Sequence, residues 1–184
     1  GDTLNWLKNE LELINDVSEA EALATSVESN RGVYLVPAFV GLGAPYWNNN
    51  AQAVIVGMSR DSTKAHIVRA ALESIAYQVK DLVDLMVTNN HVKLYALRVD
   101  GGPAQNDFLM QFQADMIQGI VDRASIEEIS ALGSAFLAGL ATGFWSKLEE
   151  IENLRKSDRT FSSKMEKEEC NRLYQGWKNA VAKT

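Results

Sequence analysis

A chain of 184 residues, 46% hydrophobic and 23% charged, is long enough for one well-buried domain or one large lobe of something bigger, and it has no low-complexity run to suggest disorder. Eighteen Lys and Arg against 24 Asp and Glu leave a formal charge of −6, which excludes the basic footprint that nucleic acid requires. A single cysteine, Cys170, and two isolated histidines, His66 and His91, exclude an intramolecular disulfide and a zinc site on paired thiolates; a cytoplasmic setting is expected, with no membrane partner, because no apolar run approaches the roughly 20 residues that span a bilayer.

Helical periodicity starts at once. Leu4, Leu7, Leu11 and Ile14 fall three or four apart and predict an amphipathic helix over 3–15, with no leader before it, as expected of a piece cut from a longer chain. SEAEALATSV, 18–27, predicts a shorter helix opened by a capping box of Ser18 and Glu21. RGVYLVPAF (31–39) and AVIVGMS (53–59) are short β-branched and aromatic runs bounded by Gly, Pro or Asn, and read as strands. They can pair antiparallel through the loop GLGAPYWNNN, 41–50, whose aromatics are expected to close off a core edge.

In HIVRAALESIAYQVKDLVDLM, 66–86, Val68, Leu72, Ile75, Val79, Leu82 and Met86 predict one buried face of a long helix. KLYALRV (93–99) reads as a strand, 106–117 as a helix, and GIVDR (119–123) as a further short strand. SIEEISALGSAFLAGLATGFW follows, with Ser125 and Glu128 as a second possible capping box. Its Ala131, Ser134, Ala135, Ala138 and Gly139 form a smooth helical face expected to pack tightly. A closing helix near 167–181 places Leu173, Trp177 and Val181 together. Strands alternating with helices predict an α/β domain with a mixed, mostly parallel sheet flanked by helices.

Ligands in open α/β sheets gather at the carboxyl ends of strands. VDGGPAQNDF, 99–108, occupies such a place: Gly101 and Gly102 would let a ligand approach the main chain, and the Asn106 side chain offers a donor and an acceptor. Taken alone, the same residues also fit a tight local turn with Asn106 as a helix cap. Neither GxxxxGK[ST] nor GxGxxG is present, so a nucleotide held here would be held by base and ribose rather than by phosphates. His66 reads as a surface or capping residue, and Glu73 and Asp100 as single acids. No catalytic set and no metal ligand set can be assigned from the residues.

Together, GVYLVPAFVGLGAPYW (32–47), AVIVGMSRDSTKAHIVRAALESIAYQ (53–78), LRVDGGPAQNDFLMQFQADM (97–116), EISALGSAFLAGLATGFW (128–145) and YQGWKNAV (174–181) resemble the C-terminal domain of the FGGY carbohydrate kinases, most closely the branch that phosphorylates glycerol. Within 53–73, Gly57, His66, Ala70 and Glu73 stand at the spacing of the family's second signature. The resemblance covers nearly all of 1–184 and implies a ribonuclease H-like, actin-like ATPase fold. It also implies an N-terminal domain, absent from this chain, that carries the glycerol or sugar site, the catalytic aspartate and most of the Mg2+ environment. The part present would be the lobe that grips the adenosine end of ATP or ADP through Gly102 and Asn106, with Gly101 and Asp100 in the same turn. Gly1 and Asn5 match a family glycine and glutamine that approach the nucleotide, Asn5 being one methylene shorter. Another sugar such as xylulose, and a non-catalytic actin-like assembly module, stay open as alternatives; a homodimer or homotetramer of the full-length protein fits the family.

Overall fold

The structure, a computed structural model, describes residues 2–90, 93–125, 129–152, 154 and 157–184. In chain order its elements are α1 (Asp2–Asn9), α2 (Glu19–Thr25), β1 (Tyr34–Val36), β2 (Val54–Val56), α3 (Lys64–Asn90), β3 (Leu97–Val99), a 3-10 turn (Gly102–Gln105), α4 (Asp107–Ile117), β4 (Ile120–Ala124), α5 (Ile129–Thr142), α6 (Leu148–Glu152), β5 (Ser157–Ser162) and α7 (Lys167–Val181).

β1 and β2 pair antiparallel with Leu35 opposite Ile55. β3 and β4 run parallel, Arg98 opposite Asp122, with α4 as the crossover that a parallel pair requires. β5 lies antiparallel on the other edge of β4, Val121 opposite Phe161. The domain is therefore α/β with a mixed sheet flanked by helices. Among the described residues parallel pairing is confined to β3 and β4, because β5, a strand with no apolar alternation to announce it, joins the sheet antiparallel.

An aromatic column joins three helices. Tyr77 of α3 stacks on Trp177 of α7 at 5.3 Å between ring centroids and meets Phe112 of α4 edge-on at 5.5 Å. Such rings supply roughly 1.5–3 kcal/mol each on burial and about 1 kcal/mol more per well-oriented pair. Cys170, Leu173, Trp177, Ala180 and Val181 are all buried, so the closing helix meets its expectation.

Four expectations are corrected. The first helix stops at Asn9 rather than running to 15. The chain then doubles back, with Glu12 at a φ of +52° and the Leu13 amide donating to the Leu7 carbonyl, so Ile14 is buried while Leu11 is exposed. α3 buries Val68, Ala71, Leu72 and Ala76, but Leu82 and Met86 at its far end are exposed. No described side chain of α5 is buried. Ala131, Ser134, Ala135 and Ala138 are exposed, and among the described residues the tight packing expected of that face is found at Gly139, against the Trp145 ring. Finally, Ser18 makes no capping bond; its hydroxyl donates to Asp16 Oδ1 at 2.7 Å. The second capping box, at Glu128, lies outside the described residues.

Candidate functional site

The turn between β3 and α4 is built by its own residues. Gly101 has φ +83° and ψ 175°, a backbone that only glycine adopts without strain. The Ala104 amide then donates to the Gly101 carbonyl at 3.1 Å, and the Asn106 amide to the Pro103 carbonyl at 3.3 Å, closing a single 3-10 turn that Pro103 starts with its fixed φ. Asn106 caps α4: its Oδ1 accepts from the Leu109 amide at 2.8 Å. Among the described residues nothing accepts from its Nδ2, which remains a donor on a fixed frame.

Gly102 is different from Gly101. Its φ lies outside the left-handed region, and beyond its chain neighbours a methyl group there would meet no described atom within 4 Å. None of the described residues requires this position to be bare.

Two residues that the sequence reading did not assign to the site hold the turn in place. Glu21 does not fold back onto Ser18; its Oε2 accepts from the Asp107 amide at 3.3 Å, so a carboxylate from α2 sits at the start of α4. That charge makes the helix end unwelcoming to an anion, in keeping with base and ribose rather than phosphate. Arg123, buried on β4, donates from Nη1 to the Ala104 carbonyl at 3.1 Å and to Asp107 Oδ1 at 2.9 Å. Its Nε donates to Asp158 Oδ2 at 2.8 Å, and Asp107 also pairs with Arg159. Burial alone would lower the Arg123 pKa, but its hydrogen bonds to Asp158 and Asp107 hold it above the ordinary value. The signal for Arg123 was present in GIVDR: it shares a strand face with buried Val121, where an unpaired charge is not tolerated.

The other expected site residues separate. Asp100 is exposed beside Gly101. Asn5 is exposed on α1 and lines a depression of about 290 Å3 with Asp2, Trp6, Asn9, Glu10 and Phe39, none of which belongs to the turn. Gly1 lies outside the described residues. His66 is buried rather than on the surface, and its Nδ1 accepts from the Thr63 amide at 3.1 Å, the reciprocal half of a capping box at the head of α3. Glu73 is buried too, taking Arg69 Nε at 2.8 Å and Asn30 Nδ2 at 2.7 Å; burial pushes its pKa up, and both bonds pull against that. In the 41–50 loop, Tyr46 donates to Asp81 Oδ2 at 2.9 Å, but Trp47 is exposed and closes no core edge. Among the described residues no group of three His, Cys, Asp or Glu side chains could hold a metal ion. No helix among them is long and apolar enough to cross a membrane.

The family model for the FGGY family of carbohydrate kinases, C-terminal domain, matches residues 1–142. The chain belongs to the FGGY family. This FGGY domain is 53% identical over 184 residues to a glycerol kinase of Shewanella sediminis, covering 100% of the chain and 37% of that relative. Its fold matches a structure of Plasmodium falciparum glycerol kinase with ADP at a TM-score of 0.91 and 39% identity, over 100% of this chain and 37% of that one. A ligand-bound xylulose kinase from Lactobacillus acidophilus matches at a TM-score of 0.82 and 25% identity, over 99% of this chain and 38% of that one. The FGGY domain thus spans little more than a third of the length of the curated relatives it matches.

Proposed function

We propose that this chain is the lobe that holds the adenosine end of ATP in a kinase that converts ATP and glycerol to ADP and glycerol 3-phosphate. The observation that carries the reading is Gly102. Neither its backbone angle nor any described atom calls for glycine, and a bare backbone at the carboxyl end of a strand suits a ligand that lies against it. Asn106 adds direction: with Oδ1 fixed by Leu109, Nδ2 is presented to a purine nitrogen or a ribose oxygen. The Plasmodium falciparum relative was solved with ADP, and the 53% identity to a glycerol kinase against 25% to a xylulose kinase favours glycerol as the acceptor.

Phosphoryl transfer depends on positioning and charge stabilisation. Within that reaction the residues here bind and orient the nucleoside and exclude water from one side of it. The acceptor site and the group that takes the hydroxyl proton belong to the remainder of the longer protein. Mg2+ would accompany the nucleotide phosphates, held mainly by that remainder. A cytoplasmic setting completes the proposal, one in which the lone, buried Cys170 stays a thiol.

Calorimetry with ADP on the full-length protein tests the site: Asn106→Ala is expected to bind about tenfold more weakly, the loss of one good hydrogen bond. Equal affinity would remove Asn106 from the site. A coupled assay over glycerol and a pentulose panel tests the substrate. Preference for a pentulose would replace glycerol, and nucleotide-dependent assembly without turnover would replace the kinase.

A further inference from the structure

We propose that Arg123 is a positioning residue for the nucleotide: it sets the height and rotation of the Gly102–Asn106 turn against the adenosine without touching it. The inference rests on the nucleotide site proposed above. Its basis is where the guanidinium's hydrogen bonds go. Nη1 donates to the Ala104 carbonyl at 3.1 Å, to the Gln105 carbonyl at 3.5 Å and to Asp107 Oδ1 at 2.9 Å, gripping the chain on both sides of Asn106. Nε and Nη2, on the opposite edge, hold Asp158 Oδ2 at 2.8 Å each, which ties the grip to β5. The planar group also lies over the Phe161 ring, 5.5 Å from its centroid.

A buried arginine on a sheet serves the fold if its partners are scattered. Here the acceptors on one edge are two consecutive carbonyls of the turn that presents a bare Gly102 and the Asn106 amide, and the carboxylate of Asp107 at the start of the helix it leads into. The turn's own backbone bonds, Ala104 to Gly101 and Asn106 to Pro103 among them, tie it only to itself, so its orientation relative to the sheet depends on outside anchors. Glu21 supplies one anchor at the Asp107 amide and Arg159 another at the Asp107 carboxylate, while Arg123 holds the Ala104 and Gln105 carbonyls as well as Asp107. Lysine cannot replace it, because one ammonium cannot reach the turn and Asp158 from opposite edges at once. A ligand recognised by backbone proximity and one amide is sensitive to displacements well below an ångström, so a loosened turn should be read out as weaker nucleotide binding.

The test uses the full-length protein with steady-state kinetics in ATP and glycerol and calorimetry with ADP. Arg123→Lys is expected to raise the KM for ATP and the Kd for ADP at least tenfold, while kcat and the KM for glycerol move less than twofold. Asp158→Asn, which frees only the outer edge, is expected to give the same pattern in weaker form. Asp81→Asn, which disturbs a buried cluster far along the chain from the turn, controls for destabilisation and should leave the ADP Kd unchanged. Because Arg123 acts through Asn106, adding Arg123→Lys to Asn106→Ala should weaken ADP by less than threefold beyond Asn106→Ala alone. An ADP Kd within twofold of wild type for Arg123→Lys, with Asn106→Ala weakened, overturns the role of Arg123 and leaves the site standing. Unchanged ADP binding in Asn106→Ala and Gly102→Val overturns both. Loss of kcat and both KM values in parallel, in Arg123→Lys and Asp81→Asn alike, reduces Arg123 to a fold residue.

Discussion

Gly57 and Gly102 look alike as letters in the sequence, and the structure separates them. Gly57 has a φ of +78°, and a methyl group there would overlap the Gly32 carbonyl, so its bareness is required from within the chain. At Gly102 the surroundings are open. Gly57→Ala is expected to cost about 3 kcal/mol or more, read as a fall in thermal midpoint, whereas Gly102→Val should leave the midpoint within about 0.5 kcal/mol and weaken ADP at least tenfold. A large stability loss at Gly102 would mean that the turn, and no ligand, needs the glycine. The sequence placed Gly101, Gly102 and Asn106 in one strand-to-helix turn because turn chemistry is local. It could not tell ligand from turn, since φ angles and empty space do not exist in a string of letters.

Elements with strong periodicity were legible and those defined by long-range partners were not. α3, α4 and α7 follow from apolar spacing, and β1 with β2 from β-branched runs between breakers. β5 escaped because SDRTFS buries only Phe161 and owes its pairing to the edge of β4. The smooth face of α5 was legible as a pattern, but a pattern does not say what it meets. Glu21 was misassigned for a related reason: the local capping box and the distant Asp107 amide compete for one carboxylate, and the distant amide wins. Asp81 shows what holds the elements together. Its buried carboxylate accepts from Tyr46 at 2.9 Å, Tyr174 at 2.5 Å and Trp177 Nε1 at 2.9 Å, joining the 41–50 loop, α3 and α7. Hydrogen bonds to a charged group are worth about 1.5–3 kcal/mol, and removing their common acceptor strands three donors. Asp81→Ala is expected to lower stability by about 3–5 kcal/mol in denaturant unfolding. A loss under 1 kcal/mol would show that the cluster is replaced by water without consequence.

At the scale of the whole molecule, the order of elements sufficed for the α/β class and the five matching segments for the family. The chain spans 37% of the length of a 53% identical relative, and its strands divide into a pair and a triplet rather than one continuous sheet. Its α5 and the segment after it leave Leu137, Phe144 and Leu148 exposed. The described residues contain a turn capped by Asn106, with the Glu21 carboxylate behind it and Arg123 joining it to the sheet. The most direct measurement is a crystal structure of the full-length protein with ADP. The adenosine is expected within about 4 Å of the Gly102 backbone, with Asn106 Nδ2 in hydrogen-bond reach of it. Adenosine bound elsewhere, with that turn facing solvent, would contradict the assignment.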